Sequence, residues 1–164
     1  IGRLSEQKGF DIALKAAKNM KEKNFKFVWY IIGEGSDLNM LLEMRKEYNL
    51  IEEVVFLGAK KNPYYYIKNC DVFVQTSRFE GKSIVLDEAM ILNKPIVVTN
   101  YTTVTSSITN GENGTIVEIN PDDICEGIIK LYNNPELRKI YSKNLSITAT
   151  GNEAEIAKYI DHLN

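Results

Sequence analysis

The sequence predicts a doubly wound α/β domain, with a Rossmann-like parallel sheet flanked by helices. Short, nearly continuous apolar runs alternate with longer segments of helical periodicity, and such runs are typical of parallel strands that are buried on both faces. The 164 residues, of which 44% are hydrophobic and 26% charged, fit one globular domain of this class. Ligands of doubly wound domains bind beyond the carboxyl ends of the strands, so functional residues are expected in the loops that follow the strands.

Five strands and eight helices are predicted along the chain. The predicted strands are FKFVWYII (25–32), EVVFL (53–57), DVFVQ (71–75), PIVVT (95–99) and GTIVEI (114–119). The predicted helices cover residues 9–22, 36–48, 63–69, 81–93, 103–109, 121–133, 135–146 and 153–163. Several of the helix starts are marked by serine or proline, at Ser36, Pro63, Pro121 and Pro135.

The first residues of the chain suggest that it is a fragment of a longer protein. Ile1 and Gly2 come directly before a helix that begins near Phe10, so Ile1 is expected to be the last residue of a strand whose earlier part is missing. No internal repeat and no second domain is predicted.

Composition argues against several functional classes. A net charge of −2 and a pI near 5.6, without a basic run interleaved with aromatic residues, argue against nucleic-acid binding. No apolar run approaches the roughly 20 residues that cross a bilayer, and no signal peptide pattern is present, so a soluble chain is expected. Two isolated cysteines favour reduced thiols and hence a cytoplasmic location. Cys70 and Cys125 are too few for a disulfide framework or a metal cluster, and the single histidine, His162, has no serine or cysteine motif beside it.

Two loops after predicted strands carry weak signals. GRLSEQKG (2–9) places Arg3 and Lys8 between two glycines, where two cations could converge on a diphosphate. A solvated charged turn is the commoner explanation of such a pair. GEGSDL (33–38) has two glycines of the dinucleotide fingerprint but Leu38 at the third position, so it predicts only a tight turn that could border a ligand.

The loop SRFEGKS (77–83) is more informative. It places Glu80 immediately before the predicted helix 81–93, whose first free amide groups would attract phosphate oxygens. Eight residues of helix rise about 12 Å, so Glu80 and Glu88 could contact the two ends of one ligand of the size of a nucleotide-sugar.

Glu88 is unexpected because its helical neighbours are apolar, and a carboxylate on an apolar side needs a partner. These neighbours are Ile84, Val85, Ile91 and Leu92. Two explanations stay open: Glu88 binds the hydroxyl groups of a ribose, or the helix is only partly buried and Glu88 pairs with a lysine from elsewhere in the chain.

FEGKSIVLDEAMILNKPIVVT (79–99) resembles the signature of glutamate, seven residues and glutamate of the large retaining glycosyltransferase family four, in the donor-binding half of the GT-B architecture. Five further segments resemble successive segments of that family: GRLSEQKGFDIALKA, YIIGEGSDLNML, VVFLGAKKNPYYYIKNCDVFVQTS, ITNGENGTIVE and NNPELRKIYSKN. The resemblance implies that residues 1–164 form the nucleotide-sugar (donor)-binding domain, and that an N-terminal, acceptor-binding domain of the parent protein is absent.

The resemblance also implies roles for individual residues. Arg3 and Lys8 fit the pair that neutralises the donor diphosphate, and Glu80 fits the residue that contacts the donor sugar near the reacting centre. Glu88 resembles the residue that holds the ribose hydroxyls. Backbone amides that fit the phosphate-binding helix terminus belong to Gly81, Lys82, Ser83 and Ile84. The base is expected near Gly58, Ala59 and Lys60. The loop YTTVTSS (101–107) lacks the glycine pair and glutamate of many members, which leaves its sugar contacts unassigned.

The implied reaction is transfer of a hexose from a nucleotide-diphosphate sugar, with UDP-hexose and first UDP-glucose as the expected donor, to a saccharide or membrane-lipid hydroxyl with retention. No metal ion and no cofactor is expected, because Arg3, Lys8 and the helix dipole would stabilise the leaving diphosphate. The isolated chain is expected to bind donor without transferring sugar, and the full-length protein could associate with the inner face of the membrane. The alternatives are an epimerase or phosphorylase of the same architecture, or a non-catalytic nucleotide-sugar-binding domain.

Overall fold

The computed structural model describes residues 1–149, and the predicted helix 153–163 and His162 lie outside the described residues. Within residues 1–149 the strands form two parallel sheets, one of two strands and one of three, with β4 in the centre of the larger sheet. The strands are β1 (Trp29–Ile31), β2 (Val54–Phe56), β3 (Phe73–Gln75), β4 (Ile96–Thr99) and β5 (Thr115–Val117). In register, Trp29 lies opposite Val54, Phe73 opposite Ile96, and Val97 opposite Thr115.

Six α-helices and two short 3-10 helices flank these strands in the described part of the chain. The α-helices are α1 (Phe10–Glu22), α2 (Leu38–Glu47), α3 (Tyr64–Asn69), α4 (Ile84–Ile91), α5 (Pro121–Tyr132) and α6 (Pro135–Ala149). The 3-10 helices are Glu6–Lys8 and Val104–Ser106. The predicted α/β class with parallel strands and flanking helices is therefore confirmed, whereas the predicted helix 103–109 is wrong, since only one 3-10 turn forms there.

Strand β4 is buried on both faces, as the apolar run predicts. Ile96 and Val98 pack with Leu86 and Ala89 of α4 on one side of the sheet. Val97 faces the opposite side, where it packs with residues of α1 and α5, among them Ile12, Ala16, Ile124 and Leu131. A third group of buried side chains joins α1 and α2 to β1 and β2, among them Leu14, Ile31, Leu41 and Val54.

Strand β1 departs from the prediction of burial on both faces. Ile31 is buried, but Val28 and Tyr30 on the opposite face remain 54% and 51% exposed. A largely apolar groove of about 420 Å³, lined by Trp29 and Phe73 among others, separates β1 from β3. The two sheets are not hydrogen-bonded to each other across this groove. The face of β1 that carries Tyr30, together with Val28 just before the strand, is consequently open in the part of the chain that the structure describes.

The loop after Ile1 and the loop after β1 lie side by side. The amide of Gly2 donates to the carbonyl of Ile32 at 2.9 Å, and the amide of Leu4 donates to that of Glu34 at 2.9 Å. A side chain at Gly33, whose φ is +144°, would place its Cβ 1.8 Å from the carbonyl oxygen of Gly2. The glycines of GEGSDL thus allow close backbone packing, which confirms the predicted tight turn.

Candidate functional site

Glu80 and Lys8 meet beyond the carboxyl end of β3 although they are 72 residues apart in sequence. Nζ of Lys8 lies 2.6 Å from Oε1 of Glu80, and the two side chains are 20% and 6% exposed. A carboxylate buried this far needs compensating charge and hydrogen bonds, which Lys8 supplies in part. Two of the predicted site residues are therefore brought into direct contact.

Close backbone packing at Gly9 makes this contact possible. Gly9 has φ 64°, in the left-handed region, and a Cβ there would lie 2.0 Å from the carbonyl oxygen of Thr76. The hydroxyl of Thr76 donates to the carbonyl of Lys8 at 3.1 Å, and the amide of Arg78 donates to that of Gln7 at 2.8 Å. The start of α1 and the loop after β3 are thereby joined along their backbones.

An ion pair that the sequence analysis missed reinforces the same junction. Arg78 donates to both carboxylate oxygens of Asp11, each at 2.7 Å, in a bidentate arrangement. Burial alone would raise the pKa of Asp11, but the hydrogen bonds and charge of Arg78 outweigh it, so this pKa lies below its ordinary value. No local pattern could have revealed the pair, because its members are 67 residues apart.

Further polar groups surround the Glu80 carboxylate. The hydroxyl of Ser77 donates to Oε1 at 2.7 Å, and Nε2 of Gln75 lies 3.3 Å from the same oxygen. Nε2 of Gln7 lies 3.5 Å from Oε2. The carboxylate is held from several sides and is thus fixed in orientation before any ligand binds. Gln75 and Ser77 were missed in the sequence, where the only signal is a glutamine at the end of an otherwise apolar strand.

The loop 101–107, whose sugar contacts stayed unassigned in the sequence analysis, holds the backbone of Glu80. The hydroxyl of Thr103 donates to the Glu80 carbonyl at 2.9 Å. Tyr101 is buried nearby, and burial, followed by the negative charges of Glu80 and Asp87, raises the pKa of Tyr101 to about 12. The loop therefore helps to fix the backbone at Glu80.

Helix α4 begins later than the sequence predicted. Its N-cap is Ser83, in an extended conformation with φ −93° and ψ 97°, and the first helical residue is Ile84. Gly81 and Lys82 precede the helix, so the prediction that their amides belong to its first turn is wrong. Glu80 is not immediately before the helix either, and the separation of about 12 Å, which assumed helix from 81 onwards, has no basis.

The free amides at this terminus belong to the N-cap residue Ser83 and to Ile84 and Val85. The amides of Leu86 and Asp87 both donate to the carbonyl of Ser83 at 3.1 Å, whereas those of Ile84 and Val85 make no hydrogen bond within residues 1–149. Lys82 is exposed and lies 3.5 Å from Asp87. Of the four predicted amides, those of Ser83 and Ile84 are thus the ones that the helix terminus presents, with Val85 beside them.

Glu88 is half-buried on α4 and accepts a hydrogen bond from the hydroxyl of Tyr64 in α3 at 3.2 Å. Burial raises its pKa, and the bond from Tyr64 offsets part of that effect. Its helical neighbour Ile84 is 64% exposed, while the core-facing residues of α4 are Leu86 and Ala89. Glu88 does not therefore lie on the core side, and no lysine pairs with it in the described part of the chain.

A difference in pH dependence is expected between the wild type and Glu88→Gln. Since burial raises the pKa of Glu88, the folded state holds its proton more tightly than the unfolded state, and stability falls as pH rises above the ordinary value of 4.5. The variant lacks this titration. Urea denaturation at about pH 4 and about pH 7 should show a relative gain for Glu88→Gln at the higher pH. Glu112→Gln, at an exposed position, is the control. Equal pH profiles for Glu88→Gln and the wild type would contradict the prediction.

The remaining predicted residues make no hydrogen bond or ion pair with Lys8 or Glu80 within residues 1–149. Arg3 is exposed, and within residues 1–149 it makes no hydrogen bond or ion pair. Gly58 has φ 67°, and its carbonyl already accepts from the amide of Gly33 at 3.0 Å. Ala59 and Lys60 are exposed. The loop expected to bind the base is thus anchored to the loop after β1, beside the segment that carries Arg3.

Other kinds of site find no support in the described residues. Across residues 1–149, no group of three or more histidine, cysteine, aspartate or glutamate side chains could hold a metal ion. Within the same residues, no helix is both long and apolar enough to cross a bilayer.

In parallel α/β domains of this class, the groups that follow the carboxyl ends of the strands are the ones placed to contact a ligand. The family model of glycosyl transferases group 1 matches residues 1–146, and the chain belongs to this family. The resemblance carried by the motifs is thereby confirmed.

Relatives and solved structures agree with this assignment. The chain is 32% identical over 151 residues to N-acetylgalactosamine-N,N'-diacetylbacillosaminyl-diphospho-undecaprenol 4-alpha-N-acetylgalactosaminyltransferase of Campylobacter jejuni, an alignment that covers 91% of this chain and 40% of the relative. This chain therefore spans about two fifths of that relative's length.

Two solved structures show the same fold. A mutant of TarM from Staphylococcus aureus, in complex with fondaparinux, alpha-GlcNAc-glycerol and UDP, is 25% identical with a TM-score of 0.85, over 99% of this chain and 34% of that chain. The C-terminal domain of a glycosyl transferase group 1 family protein (LpcC) from Francisella tularensis is 25% identical with a TM-score of 0.81, over 93% of this chain and 83% of that chain. The structural neighbours are GT-B glycosyltransferases.

Proposed function

We propose that this chain is the donor-binding part of a retaining hexosyltransferase that moves a sugar from a UDP-sugar to an acceptor hydroxyl. The observation that carries the proposal is the buried Lys8–Glu80 contact at the carboxyl end of β3, in the loop that leads to the open terminus of α4. Membership of the family and the UDP named in the TarM complex support the choice of nucleotide.

In this proposal the diphosphate is bound by positive groups of the chain itself. Arg3 and Lys8 supply two cationic side chains, and the amides of Ile84 and Val85 supply a helix terminus that favours negative charge. These groups would stabilise the charge that develops on the leaving diphosphate without a metal ion. Arg3 is suited to this role because it has no competing partner within residues 1–149.

Glu80 is proposed to contact the donor sugar, and Glu88 the ribose. Glu80 is pre-oriented by Ser77, Gln75 and Lys8, so a hydroxyl-rich ring could bind without reorganising the carboxylate. Glu88 has a raised pKa and one hydrogen bond from Tyr64, and ribose hydroxyls would add donors to a half-buried carboxylate. The base is proposed to bind beside Gly58, Ala59 and Lys60.

The sugar and the acceptor are proposed by class. UDP-glucose is the first donor to test, and the name of the Campylobacter jejuni relative adds N-acetylgalactosamine as a second sugar to test on the same nucleotide. Because that name contains a diphospho-undecaprenol saccharide, a lipid-linked saccharide is the proposed acceptor, with the reaction at the inner face of the membrane. Acceptor contacts are proposed to come from the acceptor-binding domain of a longer protein.

Calorimetric titration of the chain with UDP and with uridine tests the proposal. The same titrations with Arg3→Ala test whether Arg3 contacts the diphosphate. A charge-assisted hydrogen bond contributes roughly 1.5 to 3 kcal/mol, so the variant should bind UDP about 10- to 150-fold more weakly while uridine is hardly affected. Lys130→Ala, which removes an exposed charge from α5, is the matched control. Equal losses for UDP and uridine would contradict the role of Arg3, and absence of UDP binding by the wild type would contradict the proposed function.

A further inference from the structure

The hydroxyl of Ser83 does not cap helix α4, although Ser83 occupies the N-cap position. An N-cap serine ordinarily accepts a hydrogen bond from the amide two or three residues further on. Here the hydroxyl instead accepts from Nε2 of Gln75 at 2.9 Å and donates to Oε1 of Gln75 at 3.2 Å. Both side chains are buried, so this reciprocal pair of hydrogen bonds is protected from water.

The diversion of this hydroxyl leaves the helix terminus open. The amides of Ile84 and Val85 lack partners within the described residues, and no side-chain oxygen of Ser83 reaches the first turn. A terminus capped by its own serine would offer one amide fewer to an anion, because the hydroxyl and a phosphate oxygen would compete for it.

Gln75 also reaches the carboxylate at the other side of the site. Its Nε2 lies 3.2 Å from the hydroxyl of Ser77 and 3.3 Å from Oε1 of Glu80. One buried side chain at the carboxyl end of β3 thus contacts both the residue that begins α4 and the glutamate proposed to contact the sugar.

We propose that Gln75 is a positioning residue that keeps the N-terminal amides of α4 available to the donor phosphate by holding the Ser83 hydroxyl away from them. The inference rests on the proposed function, since it assigns Gln75 to the same donor site. Gln75 itself acts through Ser83 and Glu80 rather than through the donor.

Gln75→Met tests this role, because methionine is similar in length but has no donor and only a weak sulfur acceptor for the Ser83 hydroxyl. The released hydroxyl should then cap α4, and UDP should bind about 5-fold more weakly, which corresponds to the roughly 1 kcal/mol of a serine cap. In a Ser83→Ala background the same substitution should change UDP affinity less than about 2-fold, because no hydroxyl is left to release. Gln75→Leu, measured in both backgrounds, provides a second substitution should the first not fold.

Gln7→Met is the matched control, since Gln7 approaches Glu80 at 3.5 Å and is not a partner of Ser83. Its effect on UDP affinity should be the same with serine or alanine at position 83. Equal UDP affinity of Gln75→Met and the wild type, or an equal loss in both backgrounds, would overturn the role of Gln75. Failure of the wild type to bind UDP would instead contradict the proposed function, so the two failures are distinguishable.

Discussion

Gly9→Ala is expected to lower the free energy of unfolding by about 3 kcal/mol or more. A non-glycine residue in the left-handed region costs roughly 1 to 2 kcal/mol, and Gly9 has φ 64°. The added Cβ would also lie 2.0 Å from the carbonyl oxygen of Thr76, and relief of such an overlap by backbone shifts costs a further 1 to 3 kcal/mol, roughly. Urea denaturation followed by circular dichroism measures the loss.

Substitutions at two other glycines separate the cost of the left-handed conformation from the cost of the steric overlap. Gly111 has φ +82°, but a Cβ there meets nothing within 4 Å, so Gly111→Ala should show the conformational cost alone, about 1 kcal/mol. Gly81 is exposed with open space around it and no positive φ, so Gly81→Ala should have almost no effect on stability. If Gly9→Ala were no more destabilising than Gly111→Ala, the close packing of the α1 start against the loop after β3 would be in error.

Strands and helices that depend mainly on the local hydrophobic pattern were predictable from the sequence. The run PIVVT predicts a strand buried on both faces, and β4 has that burial because α4 covers one side and α1 and α5 the other. FKFVWYII is also mostly apolar, yet Val28 and Tyr30 stay exposed, because burial of a face depends on what covers it. The segment YTTVTSS forms only one 3-10 turn, since β-branched residues and serines have low helix propensity.

The functional contacts were predictable only in part. The motifs singled out Lys8 and Glu80, and the structure brings them together, but their separation of 2.6 Å depends on backbone packing at Gly9. The predicted start of α4 was three residues too early, because Gly81 and Lys82 are compatible with either helix or loop. The boundary instead depends on the hydrogen bonds between Ser83 and Gln75, which lies outside the segment. The partner of Glu88 is Tyr64, 24 residues away on another helix, and no periodicity within α4 indicates it.

Lys8→Met is expected to destabilise the fold by about 3 kcal/mol at neutral pH, because it leaves the Glu80 carboxylate buried without its counter-charge. Ser77 and Gln75 would still donate hydrogen bonds to Oε1, which keeps the loss at the lower end of the range for broken buried pairs. Glu80→Gln should cost less, since Lys8 is more exposed than Glu80 and can turn its ammonium group to water. The double variant should be more stable than Lys8→Met alone, since no buried charge is then left unpaired.

The coupling energy of this double-mutant cycle, measured by urea denaturation, is expected to exceed 1 kcal/mol, roughly. The ion pair between Lys139 and Glu136 is the matched control: its atoms are 2.8 Å apart, but the side chains are 73% and 76% exposed. Such a pair should couple by about 0.3 kcal/mol, because water screens it and mobile side chains lose entropy when they pair. Equal coupling energies would show that burial does not strengthen the contact between Lys8 and Glu80. The orientation of Glu80 would then not depend on Lys8.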